Sequence, residues 1–286
     1  MRIIGTALAV LSVAMFGAML APLASADGTD VLGSDLSAFA VLAGSTVTNT
    51  DATTITGDVG VYAGSAITGE GSITLTGAYE IANGVASGAQ TGLSAALIEL
   101  AGYGPGTTQS SSELGTLTLL PGTYTVPGAA LLDGTLTLNG NGNANATWVF
   151  LVDGLTTGTG SKVVVENTGA GAGIYFVDSS STTLGVGTSF EGNILASTSI
   201  TLDTGATDNC GRALASTGAV TLDNNTISIG CTAGYGSGTN GFSGGTGSTA
   251  VPEPGTWELL LAGALSILCL SGLRRHKHNS RSLDFC

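Results

Sequence analysis

A pattern that occurs three times in succession constrains the fold of this chain more than any other feature. The copies run from Gly173 to Thr226 and read GIYFVDSSSTTLGVGTSFE, GNILASTSITLDTGATDNC and GRALASTGAVTLDNNT. The spacing of about 18 to 20 residues is too short for a helical repeat and suits one turn of a β-solenoid. A Thr-Leu pair stands at the matching place in each copy: Thr183-Leu184, Thr201-Leu202 and Thr221-Leu222.

Within each copy, apolar and polar residues alternate. Ile200 and Leu202 alternate with Thr201 and Asp203, which is typical of a strand with one buried face. Gly, Asn and Asp stand at the ends of the copies, where a coil must turn. The repeat therefore predicts a stack of coils that displays columns of Thr, Ser, Ala and Gly on a flat wall.

The charge distribution excludes several classes of function. The net charge is -13, and only Lys162 and Arg212 are basic between the two ends of the chain. Such a surface repels phosphate, so nucleic-acid binding is not expected. His276 and His278 both lie near the end of the sequence, which leaves the repeat region without an imidazole for general-base or metal chemistry.

The beginning of the sequence has the pattern of a secretory signal peptide over residues 1–26. Arg2 supplies the positive charge, an apolar run follows, and Ala24-Ser25-Ala26 is a cleavage site of the A-x-A type. The mature protein would start at Asp27. A buried N-terminal helix is the alternative interpretation.

The end of the sequence contains a second apolar stretch. A Gly/Ser/Thr linker over residues 234–250 precedes residues 251–286, which hold Pro252-Glu253-Pro254, an apolar run and the pair Arg274-Arg275. This order resembles the PEP-CTERM sorting signal of Gram-negative bacteria, which implies cleavage by an exosortase-type enzyme and delivery to the cell surface. More residues follow the Arg pair than is usual for such signals. The alternative is a membrane anchor, although the run is short for a span of roughly 20 residues.

Between the first strands and the repeat, the periodicity changes to that of a helix. Apolar residues recur at helical spacing: Ile81, Val85, Ala89, Leu93, Ala96 and Leu100. Pro105 follows as a stop. The spacing predicts one helix over about residues 78–101 that packs along the side of the coils and covers one apolar wall.

Several phrases in the same order carry a resemblance to a known family. They read FAVLAGSTVTNT, TGDVGV, LTLLPGTYTV, TWVFLV and GTSFEGNILASTSITLDTGATDNCGRALASTGAVTLDNNTI. Over roughly Val31 to Cys231 the chain resembles the microbial ice-binding (antifreeze) proteins. The resemblance implies a mainly β fold, a discontinuous right-handed β-helix with one long α-helix alongside, in a domain of residues 27–233. It also implies adsorption to ice without catalysis or a cofactor, and we expect a monomer.

Cys210 and Cys231 are the cysteines of the expected mature domain. In an exported protein they are expected to form a disulfide, since about one coil separates them. Two free, buried thiols are the alternative.

Two sets of residues are candidates for an ice-binding surface, because regularly spaced hydroxyl and methyl groups can hold an ordered water layer. The primary set is Thr183, Thr198, Ser199, Thr201, Thr217, Gly218, Ala219 and Thr221. The rival set, at the next corner of the coil, is Thr188, Thr204, Thr207 and Thr226. The sequence does not decide between the two faces, and Thr also suits any exposed strand.

Repeated acidic residues suggest two other kinds of site. Asp203 and Asp223 stand at the same position in two copies of the repeat, and Asp153 and Asp178 end earlier strands. Such carboxylates could bind Ca²⁺ or form the carboxylate pair of a glycosidase. The sequence lacks a run like G-G-x-G-x-D, and turn capping accounts better for these residues. We therefore predict no catalytic or metal site, and an ice-binding function with an exported structural or adhesive matrix protein as the alternative.

Overall fold

The computed structural model describes residues 31–231 and 242–244 and is mainly β. Short helix α1 spans Gly33–Ser37 and long helix α2 spans Gly84–Ala101. The strands before α2 are β1 (Phe39–Ala43), β2 (Thr46–Thr50), β3 (Thr53–Thr56), β4 (Asp58–Val61), β5 (Ala66–Thr68), β6 (Ile73–Thr76) and β7 (Tyr79–Ile81). The strands after α2 are β8 (Thr107–Thr108), β9 (Thr118–Leu119), β10 (Gly122–Thr125), β11 (Ala130–Leu132), β12 (Thr135–Asn139), β13 (Thr147–Val152), β14 (Leu155–Thr157), β15 (Lys162–Glu166), β16 (Gly173–Asp178), β17 (Thr182–Leu184), β18 (Ser189–Phe190), β19 (Asn193–Ala196), β20 (Ile200–Leu202), β21 (Thr207–Asn209), β22 (Arg212–Ala215), β23 (Val220–Asp223) and β24 (Thr226–Ser228).

These strands form three parallel sheets, and successive strands of the chain enter the sheets in turn. Sheet A has the order β7-β4-β1-β22-β19-β16-β13-β10-β8. Sheet B has the order β11-β14-β17-β20-β23-β2-β5, and sheet C has the order β6-β3-β24-β21-β18-β15-β12-β9. One coil therefore consists of a strand in A, then B, then C, and each coil has an A/B, a B/C and a C/A edge.

The coils are not stacked in the order of the sequence. The first coil, β1 to β3, lies against the last one, β22 to β24: Val41 is opposite Ala213, Thr48 opposite Thr221 and Thr54 opposite Thr226. Helix α2 connects β7 at one end of sheet A with β8 at the other. Its 18 residues cover about 27 Å, most of the roughly 38 Å that eight strand spacings require.

The start of α2 differs from the prediction of about residue 78. Tyr79–Ile81 is strand β7, which pairs with β4 and completes sheet A at that end. The helix begins only after Asn83, whose side-chain Oδ1 accepts a hydrogen bond from the Ala86 backbone N–H at 3.0 Å. This N-cap satisfies a free donor of the first turn, which fixes the start of the helix. Ile81 thus belongs to a strand, although its spacing fits the helical pattern.

Two apolar clusters hold the molecule together. The larger one fills the inside of the coils and includes a stack of aromatic rings, with 4.5 Å between the ring centroids of Phe150 and Phe176. In the second cluster, Leu93 and Leu100 of α2 pack with residues such as Tyr175 and Leu214 on the outer face of sheet A. Sheet A is therefore covered on both sides, whereas sheets B and C each keep an outward face.

A short segment near residue 243 returns to the coils. Phe242 is fully buried in the larger cluster, and Ser243 forms an antiparallel bridge with Gly173 at the start of β16. Residues 242–244 were expected to be part of a linker, and they are instead packed against the fold, because an aromatic side chain gains from burial.

The described residues do not include the two ends of the sequence. The predictions that lie outside them are the signal peptide, the apolar run, the Pro-Glu-Pro triplet and the Arg pair. Within residues 31–231 and 242–244, no helix has the length and apolarity needed to cross a membrane.

Candidate functional site

The outward face of sheet B carries a continuous row of threonines, which we call the B-face row. Its members lie opposite one another on six neighbouring strands: Thr68, Thr48, Thr221, Thr201, Thr183 and Thr156. Leu131 continues the row at the β11 end. Their chain neighbours, for example Ile200 and Leu202, point inward and are fully buried. The alternation predicted from the repeat thus places the primary Thr residues on an outward face.

A second row of small residues lies beside the first, two positions earlier along each strand. It consists of Ala66, Thr46, Ala219, Ser199 and Ser181. Backbone hydrogen bonds from Ile200 to Ala219 (3.0 Å) and from Thr182 to Ser199 (3.0 Å) continue the ladder between these strands. Neighbouring strands are about 4.8 Å apart, and positions two residues apart along a parallel strand are roughly 6.6 Å apart. The two rows therefore form a regular grid of hydroxyl and methyl groups, and neither row contains a charged residue.

Three other members of the primary set lie at the A/B edge rather than on the strands. Thr198 and Thr217 are exposed there, and the Thr217 hydroxyl donates to the Ser197 carbonyl oxygen at 2.8 Å. A Cβ atom at Gly218 would collide with the Ser199 hydroxyl and the Thr198 carbonyl of the neighbouring coil. Gly218 is thus required for the close approach of two coils, and the two threonines extend the B face at its border.

The rival set does not share one face. Thr207 and Thr226 lie opposite each other on sheet C, in a row with Thr54, and Thr204 is at the B/C edge. Thr188 is only 1 % exposed, and its hydroxyl is 2.6 Å from the Thr157 hydroxyl. The prediction that Thr188 belongs to an exposed surface is wrong, because this polar group satisfies a buried partner at the corner of the coil.

The faces of sheets B and C also differ in charge. In sheet C the row through Thr207 continues to Ser189 and then to Lys162, which is exposed. Glu166 is exposed on the same strand as Lys162. A charged side chain holds its own hydration shell, which interrupts a regular water layer. The two rows of the sheet B grid hold no charged residue; Asp223 lies beside them on β23, opposite Thr50, and Glu113 lies opposite Leu131 beyond the β11 end.

Three of the four candidate acidic residues, Asp153, Asp178 and Asp223, accept hydrogen bonds near the ends of strands. The Asp178 carboxylate accepts from the Ser180 backbone N–H at 2.7 Å and from the Thr182 hydroxyl at 2.8 Å, while burial raises its pKa. Asp223 accepts from the Thr204 hydroxyl. Over the described ranges, no group of three or more His, Cys, Asp or Glu is placed to hold a metal ion.

Cys210 and Cys231 form a disulfide, with 4.3 Å between their Cα atoms. Cys210 lies between β21 and β22, at the C/A edge. The bond therefore fastens the segment after β24 to that edge.

Sequence reasoning missed half of the B-face row. Thr48, Thr68 and Thr156 were not among the candidates, although the strands that carry them show the same alternation of Thr with apolar residues. Such alternation in TVTNT or LTT was a usable signal for an outward Thr. The sequence pattern does not give the strand register, and it is the register that places these strands beside the repeat.

Comparisons with known proteins agree with the geometry. A family model described as "Ice-binding-like" matches residues 41–228. An ice-binding protein of Nostoc sp. (strain HG1) is 38% identical over 255 residues, which cover 89% of this chain and 90% of the relative. A solved ice-binding protein from an Antarctic biological consortium is 38% identical with a TM-score of 0.63, over 68% of this chain and 89% of that one. A second, from the ascomycete Antarctomyces psychrotrophicus, is 33% identical with a TM-score of 0.66, over 72% and 100%.

Proposed function

This chain belongs to the ice-binding-like family, and from that premise we propose that it adsorbs to ice through the B face and inhibits ice growth and recrystallisation. The observation that carries the choice of face is the uninterrupted row of six threonines on neighbouring strands of sheet B. The function needs no bond to be made or broken. We therefore assign no catalytic residue and no cofactor.

The proposed mechanism depends on a rigid and repetitive surface. Each Thr presents a hydroxyl, which can hydrogen-bond water, and a methyl, against which water can order. Thr is β-branched, so its first side-chain torsion is restricted, and little side-chain freedom is lost when the surface meets ice. The strand ladder fixes the spacing of these groups in two directions. The ordered water layer then joins the ice front, and ice between adsorbed molecules can grow only with unfavourable curvature.

Sheet B is the best candidate among the three faces for physical reasons. The outer face of sheet A is occupied by α2. The face of sheet C carries Lys162 within its Thr row. The B face combines regular hydroxyl groups with small neighbours, and its charged residues, Asp223 and Glu113, lie outside the two rows.

The remaining expectations concern export and assembly. We propose that residues 1–26 direct export, that residues 251–286 act as a PEP-CTERM sorting signal for an exosortase-type enzyme, and that the protein works outside the cell as a monomer. We also propose that the coils form a right-handed β-helix, discontinuous where the first coil joins the last. Support for the sorting signal comes from the order of Pro252-Glu253-Pro254, the apolar run and Arg274-Arg275.

A matched pair of variants tests the proposed face. Thr201→Tyr places a large ring in the middle of the B-face row and should abolish most recrystallisation inhibition and ice shaping. The thermal midpoint should hardly change, because an exposed strand position accepts an aromatic residue at a cost under about 1 kcal/mol. The control, Thr207→Tyr on sheet C, should keep its activity.

The opposite result would identify sheet C as the ice-binding face. If both variants and the unmodified chain fail to adsorb to ice, the function is not ice binding, and a structural role in the extracellular matrix becomes the better account. Both measurements should be made on the chain that retains residues 242–244, since Phe242 is part of the core.

A further inference from the structure

The chain enters β1 and leaves the last coil at the C/A edge of the coils. At the N-terminal end, Ser37 precedes β1, and its carbonyl oxygen accepts a hydrogen bond from the Arg212 guanidinium at 2.8 Å. Arg212 is the first residue of β22 and is fully buried at this edge. At the C-terminal end of the coils, the disulfide holds Cys231 to Cys210, which also lies between sheets C and A.

The chain is fastened to the same edge again at residues 242–244. The Phe242 side chain is fully buried, and its carbonyl oxygen accepts from the Ile174 backbone N–H at 2.9 Å and from the Asn193 side-chain amide at 3.0 Å. The Gly244 backbone N–H donates to the Ala172 carbonyl oxygen at 3.1 Å. Residues Ala172 and Asn193 lie where coils pass from sheet C to sheet A. Gly244, the last described residue, is thus held at the C/A edge, and residue 245 is bonded to it there.

The C/A edge is the one edge of the coil that does not border sheet B. A coil of three sheets has three edges, and two of them, A/B and B/C, flank the B face. A body attached beside either of those edges would stand next to the Thr rows. A body attached at the C/A edge lies behind them, between sheet C and the face covered by α2.

We propose that this protein is built to bind ice while it is held from its C-terminal side, with the B face turned away from the surface that holds it. Phe242–Gly244 acts as a strap that holds the chain at the C/A edge, so that residue 245 is bonded to the molecule on the side opposite the B face. This inference rests on the proposed function. It adds that the cell surface or matrix on the C-terminal side does not compete with ice for the B face. A large partner can therefore be attached without loss of adsorption.

The test attaches the full chain to solid beads at defined positions. Cys269→Ser and Cys286→Ser leave the native disulfide as the only cysteine pair, and Gly245→Cys then provides one thiol for coupling through a short linker next to the strap. In the matched control, the thiol is introduced by Thr201→Cys on the B face. Beads coupled at residue 245 should adsorb to growing ice, and beads coupled at residue 201 should adsorb roughly tenfold less or worse, the change expected for about 1.4 kcal/mol of lost binding.

Three other outcomes would overturn the proposal. Beads coupled at residue 245 could fail to adsorb to ice although the same variant, with its thiol blocked by a small group, adsorbs in solution. That result would refute the proposal that the B face is turned away from the attached surface, and it would leave ice binding itself intact. Equal adsorption of both kinds of beads would show that the B face need not be turned outward. If neither the capped variant nor the unmodified chain adsorbs, ice binding itself is refuted and this inference with it.

Discussion

At the scale of single residues, the B face depends on strand register as much as on residue type. Side chains alternate between the two faces of a strand, so a slip of one residue would turn Thr201 inward and Leu202 outward. The fully buried Ile200, Leu202, Val220 and Leu222 prevent such a slip. The same register brings Thr48, from the first coil, opposite Thr221 of the last.

A substitution at Thr48 tests whether the first coil contributes to the ice-binding surface. Thr48→Tyr should reduce ice adsorption about as strongly as Thr201→Tyr, because the ring interrupts the same row. The free energy of unfolding should change by less than about 1 kcal/mol. Ice-affinity partitioning and thermal unfolding measure the two effects, and Thr54→Tyr, on sheet C, is the control. Full activity in Thr48→Tyr would show that the first coil is not part of the ice-binding surface.

Glu191 gives the stability of the fold a dependence on pH. Burial raises the pKa of this carboxyl from 4.5 to about 7, although a hydrogen bond from the Val165 backbone N–H lowers it. Asp208 lies close by, and its pKa is raised by burial and by Glu191 and lowered by Arg212. Between pH 4.5 and about 7 the folded state holds a proton on Glu191 that the unfolded state has released. Stability from this group is therefore lost as the pH rises through that window.

We expect the wild-type protein to be less stable at pH 8 than at pH 5. Each pKa unit corresponds to about 1.4 kcal/mol, and solvent screening of a partly exposed group reduces the total to roughly 1–2 kcal/mol. Glu191→Gln should weaken this dependence, which urea unfolding at the two pH values would measure, and the buried Asp208, whose pKa is also raised, should sustain the rest. Parallel pH profiles for the two proteins would assign the effect to other groups.

At the scale of elements, the sequence was informative where the structure is local. The strands of the three repeats and the side of the coil that each residue faces follow from period-2 alternation, and α2 follows from its helical spacing. The start of α2 was misplaced because Ile81 fits both a helix and a short edge strand. The pairing of β2 with β23 could not be predicted, since nothing local distinguishes it from pairing with the next strands of the chain. Thr188 was misassigned because its partner Thr157 belongs to another coil.

The disulfide should stabilise the last coil. Its closed loop spans 21 residues, for which the loop-entropy estimate gives about 3 kcal/mol. The double change Cys210→Ala and Cys231→Ala should lower the free energy of unfolding by roughly this amount, while ice adsorption per folded molecule stays the same. Thiol counting on the denatured, unreduced protein provides the independent check. Two reactive thiols in addition to those of Cys269 and Cys286 would show that the bond does not form.

At the scale of the whole molecule, the order of the coils makes the two halves of the described chain depend on each other. Strand β1 lies inside sheet A, between β4 and β22, although it is the first strand of the chain. Strand β2 lies between β5 and β23 in the same way. The B-face row is therefore completed only when the first coil joins the last. Because such contacts are non-local, we expect folding to be slow and cooperative.

Native-state hydrogen exchange can test this dependence directly. If the first coil is an integral part of the stack, the Val41 and Leu42 amides of β1 should be protected to within about tenfold of the Leu214 amide in β22, a difference of roughly 1.4 kcal/mol in opening free energy. The edge strand β8 provides the reference for local opening, because its residues Thr107 and Thr108 are exposed and pair on one side, with β10. Exchange of the β1 amides at the rate of β8 would mean that the first coil opens independently. The threonines of β2 would then leave the B face whenever that coil opens, and the ice-binding surface would in effect be limited to the strands from β14 to β23.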